Sequence, residues 1–386
     1  MGFTQAMASL THTLMTAAAL AALPLSAAKH LLYVGTYTGP KSEGIYAFRY
    51  DDRTGTAEPL GLAAKSANPS FLAIHPNGRF LYAVNETDQW QGKPGGSVSA
   101  FAIDTASGKL RELSQQSTMG GSPCHLSVDA SGHHVLVANY GGGSVLSLPI
   151  QPDGGLAQHT FFSQHTGSSV NSARQKEPHA HSVNLSPNNR FAYVADLGTD
   201  RIHHYAFDPA KGLTAATPTL DTRLAPGSGP RHFSFSPDGH HAYVINEMTC
   251  TVTGFRYEPA TGKLSEVGSV STVPAGTDMN GVSTAEVRVH PSGKFVFGSN
   301  RGHDSIAVFA RDTASGKLTP VEVRKMGGQT PRNFTIDPSG KFLLAAGQSS
   351  HDIHSFRIDA KTGQLTPTEQ RWEVGSPVCL RFVPLK

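Results

Sequence analysis

Cysteine is scarce in this 386-residue chain, which contains only Cys124, Cys250 and Cys379. No pair has the short spacing of a zinc or redox motif, so a disulfide framework is excluded. Cys124 and Cys379 lie in apolar segments, and we expect them to be buried free thiols. Long stretches with a 3.6-residue apolar period are missing, which excludes a helical protein. Neither G-x-S-x-G nor H-E-x-x-H occurs, which argues against a serine nucleophile on an elbow turn and against a helical zinc site.

The chain also lacks a strong excess of charge of either sign. It has 32 basic and 29 acidic residues, a formal net charge of +3, and these residues are dispersed along the sequence. Nucleic acid and anionic membrane surfaces select proteins with concentrated basic charge. Neither is therefore expected as a partner, and the 19 histidines are the unusual feature of the composition.

Long hydrophobic runs are missing except for one near the N-terminus, from Leu14 to Ala28. This run ends in small residues and is too short to span a membrane comfortably. We interpret residues 1–28 as a secretory signal peptide, although no Lys or Arg precedes the run. The mature protein is then expected to be soluble and periplasmic or secreted, or cytoplasmic if this interpretation is wrong.

The rest of the sequence is built from repeats, each holding two strand-like runs around a turn. Aligned on the residue before the turn, successive copies are roughly fifty residues apart. The full copies, followed by a seventh that is cut short by the C-terminus, are Asn68–Glu86, Ser122–Tyr140, Pro178–Asp196, Gly229–Glu247, Ser283–Arg301, Thr330–Gln348 and Ser376–Pro384.

A second marker, a glycine turn such as "DTASGKL", occurs in step with the first and also seven times. Each unit therefore predicts four antiparallel strands, and the class is an all-β, seven-bladed β-propeller. The seventh copy ends after one strand, while "HLLYVGTYT" and "EGIYAFRYD" near the N-terminus supply further strands. We expect both termini to share one blade, closing the ring within a single domain over residues 29–386.

Ionisable residues occur where the first strand of each unit begins and the second ends. In a propeller both positions face one mouth of the central channel, and the residues differ from unit to unit, which favours a ligand site over structural repetition. The first and last copies contribute mostly Ser, Phe, Val and Cys. The polar candidates are His125, His179, His181, Arg231, His232, Glu247, Glu286, Arg288, Arg301, Arg332 and Asn333.

At these residues the sequence resembles the seven-bladed propeller lactonases, which include bacterial 6-phosphogluconolactonase. The resemblance covers nearly the whole chain after residue 28. It is carried by "YVGTYT" at Tyr33, "PHAHS" at Pro178, "GPRHFSFSPDGHHAYVINE" at Gly229, "AEVRVHPSGKFVFGSNRG" at Ala285 and "PRNFTIDPSGKFLLAAGQ" at Pro331. The fungal carboxymuconate-lactonizing enzyme is similar in fold and uses a histidine, a glutamate and arginines without a metal.

This resemblance implies a lactonase that opens a sugar-derived δ-lactone, with His181, Arg231 and Glu247 as catalytic residues. Either His181 or Glu247 would be the base, and Arg231 with Arg332 would hold the oxyanion or an anionic substituent. The resemblance implies a second arginine besides Arg231, and the candidates for it are Arg288, Arg301 and Arg332. The insert that contains Arg174 would be a lid over the mouth or a solvated loop.

Several alternatives stay open at this stage. His179 and His181 alternate on a strand as metal-binding histidines do, so a metal-dependent lactonase is possible in principle, although we expect neither a metal nor a cofactor. A non-catalytic ligand-binding or scaffold propeller is the other alternative. A phosphorylated substrate would fit a cytoplasmic enzyme better than an exported one. We expect a monomer that acts on a small lactone.

Overall fold

The chain folds into seven antiparallel sheets arranged as a β-propeller, which confirms the predicted class. The structure is a computed structural model that describes residues 1–2 and 30–385. Within these residues the only helix is a 3₁₀ turn at Pro218–Leu220. The proposed signal peptide lies almost entirely outside the described residues.

The blades are numbered from 1 to 7 in chain order, and blade 1 combines the first and last strands of the described chain. From the innermost to the outermost strand, blade 1 comprises Pro377–Pro384, His30–Thr36, Gly44–Asp51 and Thr56–Lys65; blade 2 comprises Leu72–Ile74, Phe80–Asn85, Ser97–Ile103 and Leu110–Ser117; blade 3 comprises Pro123–Val128, His134–Asn139, Ser144–Pro149 and Phe161–Gln164; and blade 4 comprises Ala180–Leu185, Phe191–Asp196, Arg201–Asp208 and Gly212–Ala216. In the same order, blade 5 comprises Pro230–Phe235, His241–Asn246, Thr251–Tyr257 and Leu264–Ser271; blade 6 comprises Ser283–Val289, Phe295–Arg301, Ser305–Arg311 and Leu318–Lys325; and blade 7 comprises Pro331–Ile336, Phe342–Gly347, Asp352–Ile358 and Leu365–Glu373.

Two additions depart from four strands per blade. In blade 4 the outer strand is short, and Thr222–Arg223 pairs with the same third strand after the 3₁₀ turn. A small hairpin, Gln89–Trp90 with Lys93–Pro94, follows the second strand of blade 2. The sequence repeats did not reveal either element, because both lie in segments between the repeated motifs.

Blade 1 closes the ring as predicted. The C-terminal strand Pro377–Pro384 pairs antiparallel with His30–Thr36, with Leu380 opposite Val34. Pairing of the two termini removes the free sheet edges that an open ring would expose. The closure is also apolar, because Leu380 is fully buried against residues of blades 1 and 7.

The core lies between neighbouring blades, where the second and third strands are almost entirely buried. Their apolar residues, such as "FLYAVN" in blade 2, form continuous runs because both faces of an inner strand contact another sheet. All three cysteines are free and buried, as expected for Cys124 and Cys379.

Candidate active site

Each of the inner strands of blades 3 to 7 begins with a break in strand pairing. In blade 5, Pro230 pairs with Asn246 and the next paired residue is Phe233, so Arg231 and His232 lie in an irregularity of the ladder. Similar register shifts occur at the same place in blades 3, 4, 6 and 7. A bulge redirects side chains and is common next to active sites. Here it turns the residues after the first strand position towards the channel.

The residues at these positions, with their counterparts in blades 1 and 2, form two successive rings around the channel. The outer ring, at the mouth where the inner strands begin, consists of Ser70, Cys124, His181, Arg231, Ala285, Arg332 and Val378. The deeper ring consists of Phe71, His125, Ser182, His232, Glu286, Asn333 and Cys379. The sequence analysis placed both sets at a single mouth. The structure separates them because successive residues of a strand lie at different depths.

A narrow cavity opens between the two rings. It is lined by Ser70, Phe71, Glu86, Cys124, His181, Arg231, His232, Arg332 and Val378. Blades 4, 5 and 7 thus contribute the polar candidates, blade 2 adds Glu86, and Phe71 and Val378 form an apolar side. Such a mixture of convergent polar groups and an apolar wall is typical of small-molecule sites.

Glu247 lies at the centre of the charged side chains at the mouth, because three arginines contact its carboxylate. Arg231 donates from Nε to Oε2 over 3.0 Å, and Arg301 Nη2 lies 2.9 Å from the same oxygen. Arg174, from the insert before blade 4, donates to Oε1 over 2.7 Å and also to the Tyr140 hydroxyl. The insert therefore reaches across the mouth.

These charges determine the ionisation of the cluster. Burial alone would raise the pKa of Glu247, but Arg301 and Arg231, with His181 and Arg174, hold it well below its ordinary value. Burial, reinforced by Arg332 and Arg301, lowers the pKa of Arg231 to about 10. At neutral pH Glu247 is therefore a carboxylate saturated by guanidinium groups, which makes it a weak proton acceptor.

His181 is a buried neutral imidazole. Burial lowers its pKa well below the ordinary value of 6.5, and the nearby charge of Arg231 lowers it further. Its Nδ1 lies 3.6 Å from Cys124 Sγ. Within the described residues Nε2 has no hydrogen-bond partner, which leaves this nitrogen available to a molecule in the cavity. Burial also raises the pKa of Cys124, which therefore stays a thiol.

Arg332 is the arginine of the cavity with unused donors. Its guanidinium lies over the Tyr37 ring, 5.3 Å from the centroid, and forms no hydrogen bond or ion pair with another described side chain. The Tyr37 hydroxyl donates to Glu86 over 2.8 Å. The sequence analysis did not include Tyr37 or Glu86 among the site residues. Both could have been found there, because Tyr37 and Glu86 directly follow the second strands of blades 1 and 2, as Glu247 follows that of blade 5.

The deeper ring forms a separate polar layer below the cavity. The Asn333 amide donates to Glu286 Oε2, and His232 Nδ1 lies 3.2 Å from the same oxygen. The His125 ring packs 4.1 Å from Phe71 and 5.3 Å from His232, measured between centroids. Burial lowers the pKa of both histidines, so they are neutral. His232 also contacts Arg231 and lines the cavity, so this layer supports its floor.

Arg288 lies farther along the channel than the sequence analysis placed it. It lines a second cavity of about 230 Å³ on the other side of the deeper ring, together with Arg381. Its nearest carboxylate oxygen is Glu286 Oε2 at 3.5 Å. The reason is strand geometry, because Arg288 is two residues beyond Glu286 and so projects to the same side at greater depth. Of the three candidate arginines, Arg301 contacts Glu247 and Arg332 lines the cavity.

The two histidines of the PHAHS segment do not form a metal site with a carboxylate. His179 stacks on Tyr140 with 4.5 Å between centroids, and its Nδ1 lies 3.0 Å from the Tyr140 carbonyl oxygen. His181 contacts the edge of the same ring. Among the described residues, the group of three side chains with metal-ligand spacing lies elsewhere, in blades 3 and 4.

A propeller whose channel mouth brings together a neutral histidine, several arginines and a carboxylate has groups suited to the hydrolysis of an ester bond. The chain is a member of the family described as "Lactonase, 7-bladed beta-propeller", whose profile matches residues 31–382. It is therefore a lactonase, a carboxylic-ester hydrolase, as the resemblance predicted.

Curated relatives and a solved structure agree with this family. The 6-phosphogluconolactonase of Bacillus subtilis is 38% identical over 307 residues, 79% of this chain and 84% of that protein. The 6-phosphogluconolactonase of Formosa agariphila is 34% identical over 307 residues, 78% of this chain and 85% of that protein. The periplasmic gluconolactonase of Pseudomonas aeruginosa superposes with a TM-score of 0.85 at 37% identity, covering 92% of this chain and 99% of that one.

In the described part of the chain, no helix combines the length and hydrophobicity needed to cross a membrane.

Proposed function

We propose that the chain hydrolyses a sugar-derived δ-lactone, gluconolactone or its 6-phosphate, without a metal in the reaction. The observation that carries this proposal is the pairing of an accessible neutral base with an unused guanidinium in one cavity, His181 with Arg332. Two of the relatives are named 6-phosphogluconolactonases and one a gluconolactonase, which supports this substrate class.

The proposed base is His181 rather than Glu247. A base needs a free lone pair facing the substrate, and His181 Nε2 has one, whereas both oxygens of Glu247 accept from arginines. In this mechanism Nε2 removes a proton from water while the resulting hydroxide attacks the lactone carbonyl carbon. The positive charge that forms on His181 is stabilised by the nearby Glu247 carboxylate, which favours the protonated imidazole.

Arginine then stabilises the tetrahedral intermediate. Arg332 can turn its free donors towards the oxyanion, and Arg231, held by Glu247 and by the Ala285 carbonyl oxygen, presents a fixed positive charge. Collapse of the intermediate breaks the bond to the ring oxygen, and protonated His181 returns its proton to that oxygen. Water is thus added across the ester bond, and the product is an open-chain hydroxy acid.

The positive balance of the mouth suits this product and anionic substrates. Four arginines surround two carboxylates at the mouth: Arg174, Arg231, Arg301 and Arg332 around Glu86 and Glu247. Such a field attracts a carboxylate or a phosphate. We propose that this field as a whole draws the phosphate of a phosphorylated substrate to the mouth, while Arg332 contacts the oxyanion.

The decisive experiment is a pH-stat assay of wild type, His181→Gln and Arg332→Gln on δ-gluconolactone and its 6-phosphate. We expect each variant to lose about 10²- to 10³-fold in kcat. Arg311→Gln is the control, because Arg311 is also a buried arginine but pairs with Asp238 and does not line the cavity. Full activity in both site variants would overturn the assignment. Absence of turnover by the wild type on both substrates would favour a binding or scaffold propeller.

We also propose that the chain is exported and that it acts as a monomer. The apolar run from Leu14 to Ala28 and the similarity to a periplasmic gluconolactonase support export. The seven inner strands of one propeller complete the channel mouth, so the proposed site needs no second chain. Determination of the mature N-terminus after cell fractionation tests the first proposal, and light scattering of the purified protein tests the second.

A further inference from the structure

Two histidines and an aspartate meet at the seam between blades 3 and 4, outside the catalytic cavity. They are His165, which follows the outer strand of blade 3, and Asp196 and His203, on the second and third strands of blade 4. His165 Nδ1 lies 2.6 Å from Asp196 Oδ2, and His203 Nε2 lies 4.0 Å from the same oxygen. All three side chains are at least 87% buried, with His203 the most exposed at 13%.

Each of the three side chains is held by a partner behind it. Asp196 Oδ1 accepts hydrogen bonds from three backbone N–H groups, which leaves Oδ2 for the two histidines. His203 Nδ1 lies 2.8 Å from Asp221 Oδ2, and His165 Nε2 lies 2.8 Å from the Tyr205 hydroxyl. Metal-binding histidines characteristically use their second nitrogen in this way, because a carboxylate or hydroxyl behind the ring fixes its orientation and tautomer.

The distances fit a divalent ion after a small rotation of one carboxylate. Two ligands at about 2.1 Å from a tetrahedral metal are roughly 3.3 Å apart. Asp196 Oδ2 lies 2.6 Å from His165 Nδ1, which is shorter than this ligand spacing, and 4.0 Å from His203 Nε2, which is longer. A shift of Oδ2 away from His165 and towards His203 would bring both distances closer to this spacing, and the three ligand atoms already lie within 4.8 Å of one another.

The other blades show that the propeller fold itself does not require this group. Where blade 4 has Asp196, blades 2, 3, 5 and 6 have asparagine, at Asn85, Asn139, Asn246 and Asn300. Two of these amides bridge to the preceding blade: Asn139 donates to the Thr118 carbonyl and Asn300 to the Thr272 carbonyl. A neutral amide therefore suffices at this seam elsewhere in the ring.

The two histidines are also departures from the repeat. His165 occupies the position of Thr118, Thr272, Met326 and Val374, whose N–H groups make the equivalent backbone hydrogen bond. At the position of His203 the other full repeats have Ser99, Leu146, Thr253, Ala307 and His354. At the seam of blades 3 and 4, three side chains that can bind a metal therefore meet. At the equivalent positions most other blades have an asparagine and two residues of varied type.

We propose that His165 Nδ1, Asp196 Oδ2 and His203 Nε2 bind one divalent transition-metal ion of the zinc type. Two imidazoles and one carboxylate suit zinc better than magnesium, which prefers oxygen ligands. The ion would cross-link blades 3 and 4 and would fix Asp196, whose Oδ1 accepts from the His179 N–H at the start of the PHAHS segment. Its role is structural, and it is separate from the proposed hydrolysis.

The test is metal binding by the intact protein. Wild type stripped with a chelator and titrated with Zn²⁺ should bind one ion per chain tightly, with a rise in Tm that Mg²⁺ does not reproduce. Co²⁺ should give the intense visible bands of a tetrahedral site. His203→Gln removes a ligand and should abolish the tight site. Asp221→Asn removes only the group behind His203 and should weaken the affinity by about 10- to 100-fold.

His354→Gln is the matched control for these variants. His354 occupies the position of His203 in blade 7 and also contacts a carboxylate, Asp352 at 2.9 Å, but there Arg371 supplies the second contact instead of a histidine. We expect His354→Gln to bind Zn²⁺ as wild type does. Binding and a Tm rise that are unchanged in His203→Gln, or no tight binding by wild type, would overturn the proposal.

Discussion

Arg231 and Glu247 are 16 residues apart in the chain, yet Arg231 Nε donates to Glu247 Oε2 over 3.0 Å. Arg231 is the second residue of the inner strand of blade 5 and Glu247 follows the second strand, while the turn at Asp238 and Gly239 lies at the far end of the hairpin. Strand register therefore delivers both charges to the channel mouth. The pair is nearly inaccessible to solvent, so its electrostatics are little screened by salt.

Replacing Arg231 by Gln should lower kcat by about 10²- to 10³-fold, because a preorganised positive charge next to the oxyanion is lost. The fold should persist, since Arg301 and Arg174 still neutralise Glu247. Initial rates on a δ-lactone, measured together with the circular dichroism spectrum, check this expectation. A kcat within twofold of wild type would contradict it.

Glu247→Gln should destabilise the protein in a pH-dependent way. The pKa of Glu247 in the folded state lies well below its ordinary 4.5, so its ionised form stabilises the fold above that pH. Removing one partner of a buried ion pair costs about 3–5 kcal/mol at neutral pH. As the pH falls below about 4.5, Glu247 takes up a proton in the unfolded chain but not in the folded protein. The free energy of unfolding of wild type, relative to that of the variant, therefore falls by about 1.4 kcal/mol per pH unit.

Urea unfolding of wild type and Glu247→Gln at a series of pH values between 7 and 3 measures this difference. We expect a constant gap in the free energy of unfolding above about pH 5.5 and a narrowing gap below pH 4.5. A gap that keeps its full size down to pH 3 would show that the Glu247 charge is not what stabilises the mouth.

The fold could be predicted almost completely from the sequence, because each blade repeats the same pattern of strands and turns. The positions of Arg231 and Glu247 followed from that pattern, since strand register alone brings the ends of a hairpin together. The depth of Arg288 was missed, because the sequence analysis assigned it to the mouth although it lies two residues beyond Glu286 in a regularly paired part of the strand. The bulges themselves could not be predicted, because the residues at the start of the inner strands differ from blade to blade and share no composition that marks a bulge.

The seam of His165, Asp196 and His203 also escaped the sequence analysis. His165 and Asp196 are more than thirty residues apart and belong to different blades, so no local spacing in the sequence identifies the group. A register alignment of the blades would have exposed Asp196 as the aspartate among asparagines. Arg174 lies in an insert outside the repeat, and its contact with Glu247 could not be derived from strand register.

The fall of kcat/KM at acidic pH should occur at a lower pH than is usual for an enzyme with a histidine base. Burial and Arg231 keep the pKa of His181 well below 6.5, so the neutral form that accepts the proton persists below that pH. We expect kcat/KM to stay constant from pH 7.5 to below 6.5 and to fall only at lower pH. In Arg231→Gln, loss of the neighbouring positive charge should raise the pKa of His181 and move this fall to higher pH. An unchanged pH profile in this variant would argue against His181 as the base.

Closure of the ring should make the C-terminal strand important for stability. Leu380 is fully buried where Pro377–Pro384 pairs with His30–Thr36, and truncation to Ala should cost about 2–5 kcal/mol. Val170→Ala is the control, because this side chain is exposed and the change should stay within about 0.5 kcal/mol. Urea unfolding monitored by fluorescence compares the two variants. Equal stability of both variants would mean that the closing strand is not part of the cooperative fold.

Arg174 should affect substrate binding more than stability. Its side chain is 43% exposed, so its contact with Glu247 is screened by solvent and contributes less than about 1 kcal/mol to folding. The same contact holds the insert across the mouth, where Ser169 also donates to Asp200 over 2.6 Å. In Arg174→Gln we expect KM to rise several-fold while kcat and Tm change little, because the insert loses its anchor to the cavity but the catalytic groups stay in place. Steady-state kinetics on a δ-lactone measure this split. A large fall in kcat with unchanged KM would instead place Arg174 among the groups that stabilise the transition state.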